Sequence, residues 1–178
     1  MELIESHVYP IGRFKPAVSF NKDTLTSWIG NISSLPLLLD YCIQNLDEAQ
    51  LNFPYRPGGW NIIQIIHHIA DSHMNAYVRL KLALTEDKPV IKPYDEKLWA
   101  ELPDVADVPL NVSITLVHAL HRRWTSVLGQ LNDADWEREY YHPETNIFTA
   151  IWQMTNHYSW HGSHHAEQIL ALRKRMNW

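Results

Sequence analysis

The sequence predicts an all-α protein built as a four-helix bundle, with one long crossover connection and short extra helices. Four long stretches repeat apolar residues with the period of an amphipathic helix, and proline- or glycine-rich segments separate them. The connection between the second and third stretches, about 25 residues, is too long for a tight turn. Helix bundles accommodate such crossovers, and a chain of 178 residues can bury a sizeable core in one domain, residues 1–178.

The first predicted helix covers about residues 21–46, and Asn21, Asp23 or Thr24 can serve as its N-cap. Pro36 lies inside this stretch. Because proline lacks the N–H group of a helical hydrogen bond, we expect a kink or a break at that point. The turn sequence PYRPGG, residues 54–59, then ends the region.

The other three long helices are expected over about residues 60–84, 110–131 and 149–176. The proline-rich connection before the third helix is expected to hold a short helix, DEKLWAEL, with Asp95 as its N-cap. The segment DADWEREYYHPETNIF, which precedes the fourth helix, should form a helical turn and a loop with some strand pairing. Long connections often carry function, so we expect residues 85–109 to form part of the rim of a binding cleft.

Composition excludes several classes of protein. A formal net charge of −5 argues against nucleic acid or an anionic membrane as the main partner. No apolar run approaches the roughly 20 residues that span a bilayer, and the start, MELIESHVYP, lacks the features of a secretory signal. Cys42 is the single cysteine, so we expect it to be a buried apolar residue rather than part of a disulfide. These features predict a cytoplasmic protein.

The histidines are concentrated in two places. Seven of the eleven fall within HHIADSH (residues 67–73) and NHYSWHGSHHAEQIL (residues 156–170). On the fourth helix, His161 and His165 share the apolar face at i and i+4, which is close enough for both to bind one metal. Gly162 between them costs roughly 1 kcal/mol of helix stability, which indicates that something there needs room. A lone inward histidine is usually a hydrogen-bonded core residue, but two without an acidic partner favour a metal site.

Periodicity leaves the third ligand open. On the second helix, His73 falls within the apolar stripe, whereas His68 belongs to a polar stripe with Asn61, Ser72 and Arg79. Helical geometry alone favours His73. A polar stripe can still line an open site at the edge of a bundle, so His68 also remains a candidate.

A resemblance to a known family covers nearly the whole chain from Tyr9 onward. It rests on an ordered set of motifs: YPIGRFKP, PYRPGGWNIIQIIHHIADSHMNAYVRLKLALTE, KPYDEKLWAEL, HRRWT, YYHPE and WHGSHH. In this order they resemble YfiT-type proteins of the DinB-like superfamily, whose members are described as metal-dependent hydrolases and include bacillithiol S-transferases. The resemblance implies a four-helix bundle, three histidine ligands to one divalent metal in each chain, and a homodimer.

The same resemblance assigns the ligands residue by residue. The first is the histidine directly before an apolar residue, alanine and aspartate, which is His68 here. The other two follow a tryptophan as W-H-x-x-x-H, which gives His161 and His165. Relatives carry further histidines where this chain has Ser163 and Gln168, so an accessory role for these two positions is in doubt.

Three neutral imidazoles leave coordination positions open, as in catalytic rather than structural zinc sites. Such a metal can lower the pKa of bound water to about 7, or hold a thiol as thiolate. The ligands therefore do not separate a hydrolase from a thiol S-transferase, although the lack of an evident carboxylate base favours a low-molecular-weight thiol as the small-molecule substrate. Zinc is the first expectation for the metal and nickel the second. The alternative function is a non-catalytic, metal-stabilised binding protein of the stress response.

Several other residues are candidates for accessory roles, although no catalytic residue is assigned. Asp71 could orient His68 or could equally be a surface acid. Glu167 is expected to be solvated, because HHAEQ lacks the H-E-x-x-H order of zinc proteases. His142 is an acid–base candidate, and Arg79 could hold a carboxylate or a phosphate of the substrate. The possible pocket residues are Tyr77, Arg79, Asp95, Glu96, Trp99 and Trp124.

Overall fold

The computed structural model describes residues 2–178, with side chains from residue 5 onward. The helices in chain order are α1 (Glu2–Val8), α2 (Lys22–Ile43), α3 (Glu48–Leu51), α4 (Ile62–Thr85), α5 (Glu96–Trp99), α6 (Pro103–Asp107), α7 (Leu110–Leu128), α8 (Asp133–Trp136) and α9 (Ile151–Met176). Two short strands, β1 (Glu139–His142) and β2 (Ile147–Ala150), lie between α8 and α9. In the described part of the chain, no helix is both long and apolar enough to cross a membrane.

Helices α2, α4, α7 and α9 form the predicted four-helix bundle. Helix α2 packs against α7 and α9, and α4 packs against the same two helices from the other side. Their bounds lie close to the four predicted stretches, and the long crossover between α4 and α7 is present. The expected fold class is confirmed.

The buried core consists of two apolar clusters, one toward each end of the bundle. Residues 151–158 of α9 and 76–83 of α4 contribute to one cluster, while residues 166–172 of α9 and 62–70 of α4 contribute to the other. The histidine-rich segments of α4 and α9 lie where these two clusters meet. The core therefore holds both polar segments at the same level of the bundle.

Helix α2 begins as predicted but is not broken at Pro36. Asn21 caps it, because its side chain accepts a hydrogen bond from the Thr24 backbone N–H at 2.9 Å. In return, the Thr24 hydroxyl oxygen accepts a hydrogen bond from the Asn21 backbone N–H. Of the expected kink or break, the break is wrong, since the helix continues through Pro36 to Ile43. The carbonyl of Ile32, which would have accepted from the N–H that proline lacks, accepts instead from the His121 ring at 2.6 Å.

The crossover folds back onto the strand hairpin. Asp95 caps α5 as predicted, accepting from the backbone N–H groups of the second and third helical residues. Backbone hydrogen bonds join Ile91 and Pro89 to Tyr141 of β1 at 3.0 and 2.9 Å. Antiparallel pairing of β1 with β2 confirms the expected strand pairing, whereas α1, α3 and α6 were not predicted.

Cys42 is fully buried on α2, as expected. Its thiol lies 3.6 Å from the carbonyl oxygen of Ala166 on α9. Burial raises the pKa of this thiol to about 12. The thiol is therefore protonated at neutral pH and is part of the packing between α2 and α9.

Candidate metal centre

Three histidines from two neighbouring helices converge at the junction of the two core clusters. His68 comes from α4, and His161 and His165 come from consecutive turns of α9. One ring nitrogen from each lies within 4.8 Å of the other two. The Nε2 atoms of His68 and His161 are 3.3 Å apart. The structure thus brings together the three residues that the motif comparison indicated.

The spacing and the chemistry of these nitrogens fit a metal ion. Tetrahedral zinc with bonds of about 2.0–2.1 Å to nitrogen places two ligand atoms about 3.3–3.4 Å apart. Burial lowers the pKa of His68 to about 4. Burial first, and then the neighbouring imidazoles, hold the pKa values of His161 and His165 well below 6.5. All three rings are therefore neutral at pH 7, the form in which imidazole binds metals.

Gln168 orients the ring of His165. Its amide nitrogen donates to the Val8 carbonyl at 2.9 Å and approaches His164 Nε2 at 3.0 Å, which turns the amide oxygen toward His165. That oxygen accepts from His165 Nδ1–H at 2.9 Å. His165 Nε2 therefore carries the free lone pair. Sequence reasoning left an accessory role for Gln168 in doubt, and the structure gives it this one.

His73, which periodicity favoured as the third ligand, lies behind His161. It is fully buried on α4, and its Nε2 is 3.1 Å from Nδ1 of His161. Its Nδ1 is 2.9 Å from Nε2 of His121 on α7. Both ring nitrogens of His73 thus face other histidines within hydrogen-bonding distance. Periodicity predicted correctly that His73 points into the bundle. Its ring nitrogens, however, face His121 and His161 rather than the point where the nitrogens of His68, His161 and His165 converge.

Gly162 allows helices α2 and α9 to approach closely beside the histidines. A Cβ atom at this position would collide with Cδ2 of Leu35 and would lie 3.2 Å from its Cδ1. Leu35 is itself almost fully buried. The room that the sequence indicated is therefore taken by a side chain of α2.

The three histidines border an open cavity of about 420 Å³. Trp60 lies on one side, with its ring centroid 4.7 Å from that of His68. Pro93, Tyr94 and Glu96 bring part of the crossover to the wall, as expected for residues 85–109. The remaining lining residues are Ser72, Arg79, His142, Glu144, His157, Tyr158, Trp160 and His164.

Only some of the predicted pocket residues line this cavity. Arg79, Glu96 and His142 do. The others lie elsewhere: Trp124 and Tyr77 are buried in the core, Asp95 caps α5, and Trp99 packs on Tyr94 with ring centroids 4.5 Å apart. A large aromatic side chain that faces the interior packs into the core more often than it reaches a cleft.

Sequence reasoning did not nominate Ser72, Tyr94 and Tyr158 for the pocket. Ser72 belongs to the polar stripe of His68, which is the signal that could have found it. Burial raises the pKa of Tyr94 to about 12 and also raises the pKa of Tyr158. Both phenols are therefore protonated hydrogen-bond donors beside the histidines at neutral pH.

Within the described range, neither acidic accessory candidate hydrogen-bonds to the ring of His68, His161 or His165. Among the described residues, Asp71 makes no hydrogen bond to His68, so the orienting role considered for it is not observed. Burial and the nearby Asp104 raise the pKa of Asp71 to about 6. Glu167 does not line the cavity and lies partly exposed on α9, in agreement with the expected solvated position.

Arg79 is a cation without an acidic partner on the cavity wall. No carboxylate within the described range lies at ion-pair distance from its guanidinium group. It lies near Tyr140 and His142, and burial first, then the positive charge of Arg79, lowers the pKa of His142. A second cavity of about 410 Å³ shares Arg79, His142, His157 and Tyr158 with the first, so the two adjoin.

Comparison with known proteins places this fold and cluster in a family. The family model described as the DinB superfamily matches residues 37–169. A protein of Oceanobacillus iheyensis, named "Putative metal-dependent hydrolase OB0782", is 48% identical over 170 residues, 96% of this chain and 98% of its own. A relative from Bacillus cereus strain 03BB102, named in the same words without the gene label, is 46% identical over 96% of this chain and 97% of its own.

A solved structure agrees over nearly the whole chain. It is described as "YfiT from Bacillus subtilis is a probable metal-dependent hydrolase with an unusual four-helix bundle topology". Its TM-score is 0.94 at 42% identity, and the match covers 97% of this chain and 99% of that one. This chain belongs to the DinB superfamily, and the resemblance to YfiT-type proteins is confirmed. The names of the relatives and the three-histidine cluster together imply a metal.

Proposed function

We propose that this chain is a metal-dependent enzyme that transfers a small thiol to an electrophilic substrate. One divalent metal per chain would be held by His68, His161 and His165. The convergence of three neutral imidazole nitrogens beside an open cavity carries the proposal. Zinc is the first metal to test and nickel the second, because imidazole suits both. The choice of a thiol rests on the sequence resemblance to bacillithiol S-transferases.

When bound, the metal would act as a Lewis acid that lowers the pKa of a thiol or a water molecule beside it. In the proposed transfer, the thiol proton passes to solvent and the sulfur forms a bond to an electrophilic carbon. The leaving group departs with the electron pair of the bond that breaks. The sulfur must therefore reach the histidines while the electrophile lies next to it.

The paired cavities support a reaction of two substrates. The first cavity ends at the three histidines, and the second extends past Arg79 toward the apolar side chains of Phe14, Ile147 and Met154. A polar thiol would occupy the first and an apolar electrophile the second. Arg79, which lies at their junction with no carboxylate partner among the described residues, would bind an anionic group of one substrate.

The tyrosines of the first cavity would bind the substrate rather than accept its proton. Tyr94, with its pKa raised to about 12 by burial, holds its proton at neutral pH. Tyr158 is protonated for the same reason. Both hydroxyl groups can donate hydrogen bonds to a substrate or a leaving group, but neither is a base for activating water.

Hydrolysis is the second candidate reaction. It is favoured by the names of the relatives and by Glu96 and Glu144, two exposed carboxylates that line the first cavity and could take a proton from water. Sequence reasoning favoured a thiol partly because no carboxylate base was evident. These two side chains weaken that argument and leave the resemblance as the main support for thiol transfer.

The ligand assignment is tested by metal content. His68, His161 and His165 are replaced singly by alanine, and the partly exposed His118 on α7, which pairs with Asp40 away from the cluster, serves as the control site. Elemental analysis should find about one metal per chain in the wild type and the His118→Ala variant, and a large loss in the other three. Normal metal in His68→Ala together with loss in His73→Ala would show that the motif comparison chose the wrong histidine of α4.

The reaction is tested by turnover and spectroscopy. Metal-loaded protein is screened with low-molecular-weight thiols, bacillithiol first, each with an electrophile, and with a panel of esters and amides. Thiol-dependent turnover that chelation abolishes supports the transferase, as does a sulfur-to-cobalt charge-transfer band when thiol is added to cobalt-substituted protein. Chelator-sensitive ester or amide cleavage, with a cobalt spectrum that no thiol changes, would support a hydrolase instead.

A non-catalytic role is the remaining alternative. A metal that binds only the folded state would stabilise the packing of α4 against α9 without any chemistry. In that case, metal removal lowers the melting temperature while both substrate panels show no turnover. By resemblance, we also propose a homodimer in the cytoplasm, and light scattering at several protein concentrations tests the dimer.

A further inference from the structure

Behind the candidate metal centre, His121, His73 and His161 form a chain of hydrogen bonds, the relay, that ends at a carbonyl left free by Pro36. Proline has no N–H to donate, so the Ile32 carbonyl four residues earlier lacks its helical partner from that residue. Nδ1 of His121 on α7 is 2.6 Å from this carbonyl oxygen. A carbonyl can only accept, so His121 carries its proton on Nδ1 and, as a neutral ring, has a bare lone pair on Nε2. His121 is almost fully buried, which favours the neutral ring.

The same reasoning fixes the next two rings. His121 Nε2 is 2.9 Å from Nδ1 of His73, so His73 must donate from Nδ1 and accept at Nε2. His73 Nε2 is in turn 3.1 Å from Nδ1 of His161. His161 therefore donates from Nδ1, and its lone pair is on Nε2. That nitrogen lies 3.3 Å from Nε2 of His68, at the point where the three histidines converge.

We propose that His121 and His73 are positioning residues that fix His161 in the tautomer with a bare Nε2, anchored by the carbonyl that Pro36 leaves free. This inference rests on the proposed metal site. The three donations run in one direction because their first acceptor, a backbone carbonyl, cannot donate. Partners of this kind set ring orientation and raise ligand basicity in metal sites.

In the described part of the chain, the rings of His121 and His73 have no hydrogen-bond partner outside the relay. His73 is fully buried, and aromatic rings surround it: Trp124 and Tyr158 contact it edge-on, with centroids 5.7 and 5.2 Å away. The rings of His121 and His73 are nearly parallel, with an interplanar angle of 10° and centroids 5.0 Å apart, as a hydrogen bond in the plane of both rings requires. Water cannot readily replace a lost donor or acceptor in such a site. Loss of one ring should therefore change the hydrogen bonding and orientation of His161.

The first test measures zinc affinity by competition with a chelator. His73→Leu removes the acceptor for His161 and should weaken binding by about 10–100-fold. His73→Gln, whose amide can accept from His161 and donate to His121, should recover part of the affinity. His67→Leu is the matched control, since His67 is also a buried histidine of α4 but hydrogen-bonds to Ser113 at 2.8 Å, outside the relay.

A second variant separates the relay from simple packing. Pro36→Ala restores an N–H group that competes with His121 for the Ile32 carbonyl. It should weaken zinc binding while the melting temperature of the metal-free protein stays the same or rises, because alanine favours a helix. Wild-type zinc affinity in Pro36→Ala would show that the freed carbonyl is not the anchor.

Nitrogen NMR of the zinc-loaded wild type tests the tautomers without any substitution. Protons on Nδ1 of His121, His73 and His161 are expected, with Nε2 of His161 shifted by the metal. A proton on Nε2 of His73 would overturn the proposal, as would unchanged affinity in His73→Leu or equal weakening in His73→Leu and His73→Gln. Failure of the metal site itself is separate, because His68→Ala would then retain zinc.

Discussion

Acid should destabilise the metal-free protein strongly, because its inner histidines fold in the neutral form. Burial lowers the pKa of His68 and of His121 from 6.5 to about 4. Below pH 6.5 the unfolded chain binds protons that the folded chain excludes. The free energy of unfolding therefore falls as the pH drops from about 6.5 toward 4, and it is fully retained above that range.

The two pKa values set the size of the effect. For one histidine whose pKa changes from 6.5 to about 4, lowering the pH from 7 to 5 removes about 2 kcal/mol of stability. His68 and His121 together thus account for about 4 kcal/mol. The lowered pKa values of His73, His161 and His165 add to this loss, whereas the raised pKa of Asp71 opposes part of it between pH 7 and 5. Against a total stability of about 5–15 kcal/mol for a typical domain, the loss is large.

Urea denaturation of chelator-treated protein at several pH values measures this loss. His121→Leu removes one titrating ring, so its stability should depend less steeply on pH, by about 1.2 kcal/mol per pH unit between pH 6 and 5. Zinc should shift the acid loss to lower pH, because metal binding and protonation compete for the same nitrogens. A metal-free protein whose stability is constant from pH 7 to 5 would refute the reasoning, since the buried rings would then be accepting protons.

Three further outcomes are expected. Gly162→Ala should lower stability by about 1–3 kcal/mol in urea denaturation through the collision with Leu35, and in a Leu35→Ala background the same change should be neutral or stabilising. Gln168→Leu should weaken zinc affinity by about 10-fold, because the Nδ1–H of His165 loses its acceptor, whereas Gln168→Glu should not. Arg79→Ala should raise KM for anionic substrates by about 10-fold or more and leave KM for neutral analogues unchanged.

The long helices could be predicted because their signals are local. Apolar periodicity, the Asn21 cap and the turn at residues 54–59 act within a few residues of chain, and the structure agrees with each of them. The i,i+4 pair of His161 and His165 is local in the same sense, since one helix fixes both directions. The small helices α1, α3 and α6 were missed because four to seven residues carry too little periodicity to detect.

The choice between His68 and His73 was not a local question. Both point away from solvent on α4, and what separates them is the position of α9 and α7 around that helix. His73 lies within hydrogen-bonding distance of His121 on α7 and of Nδ1 of His161, while His68 approaches Nε2 of His161. Only the packing of three helices decides which imidazole faces the cavity, and the periodicity of α4 alone, which favoured His73, carries no information about that packing.

Pro36 is a case in which packing between helices changes the outcome that a local rule predicts. The rule that proline removes a helical hydrogen bond is correct, and it predicts that the carbonyl four residues earlier lacks its helical donor. It does not predict a break, because a donor from another helix can fill the place. Here that donor is His121, and the filled carbonyl fixes a proton at one end of the relay. The residue that breaks the hydrogen-bond pattern of α2 thus sets the direction of donation, which runs from His161 on α9 through His73 and His121 to the Ile32 carbonyl.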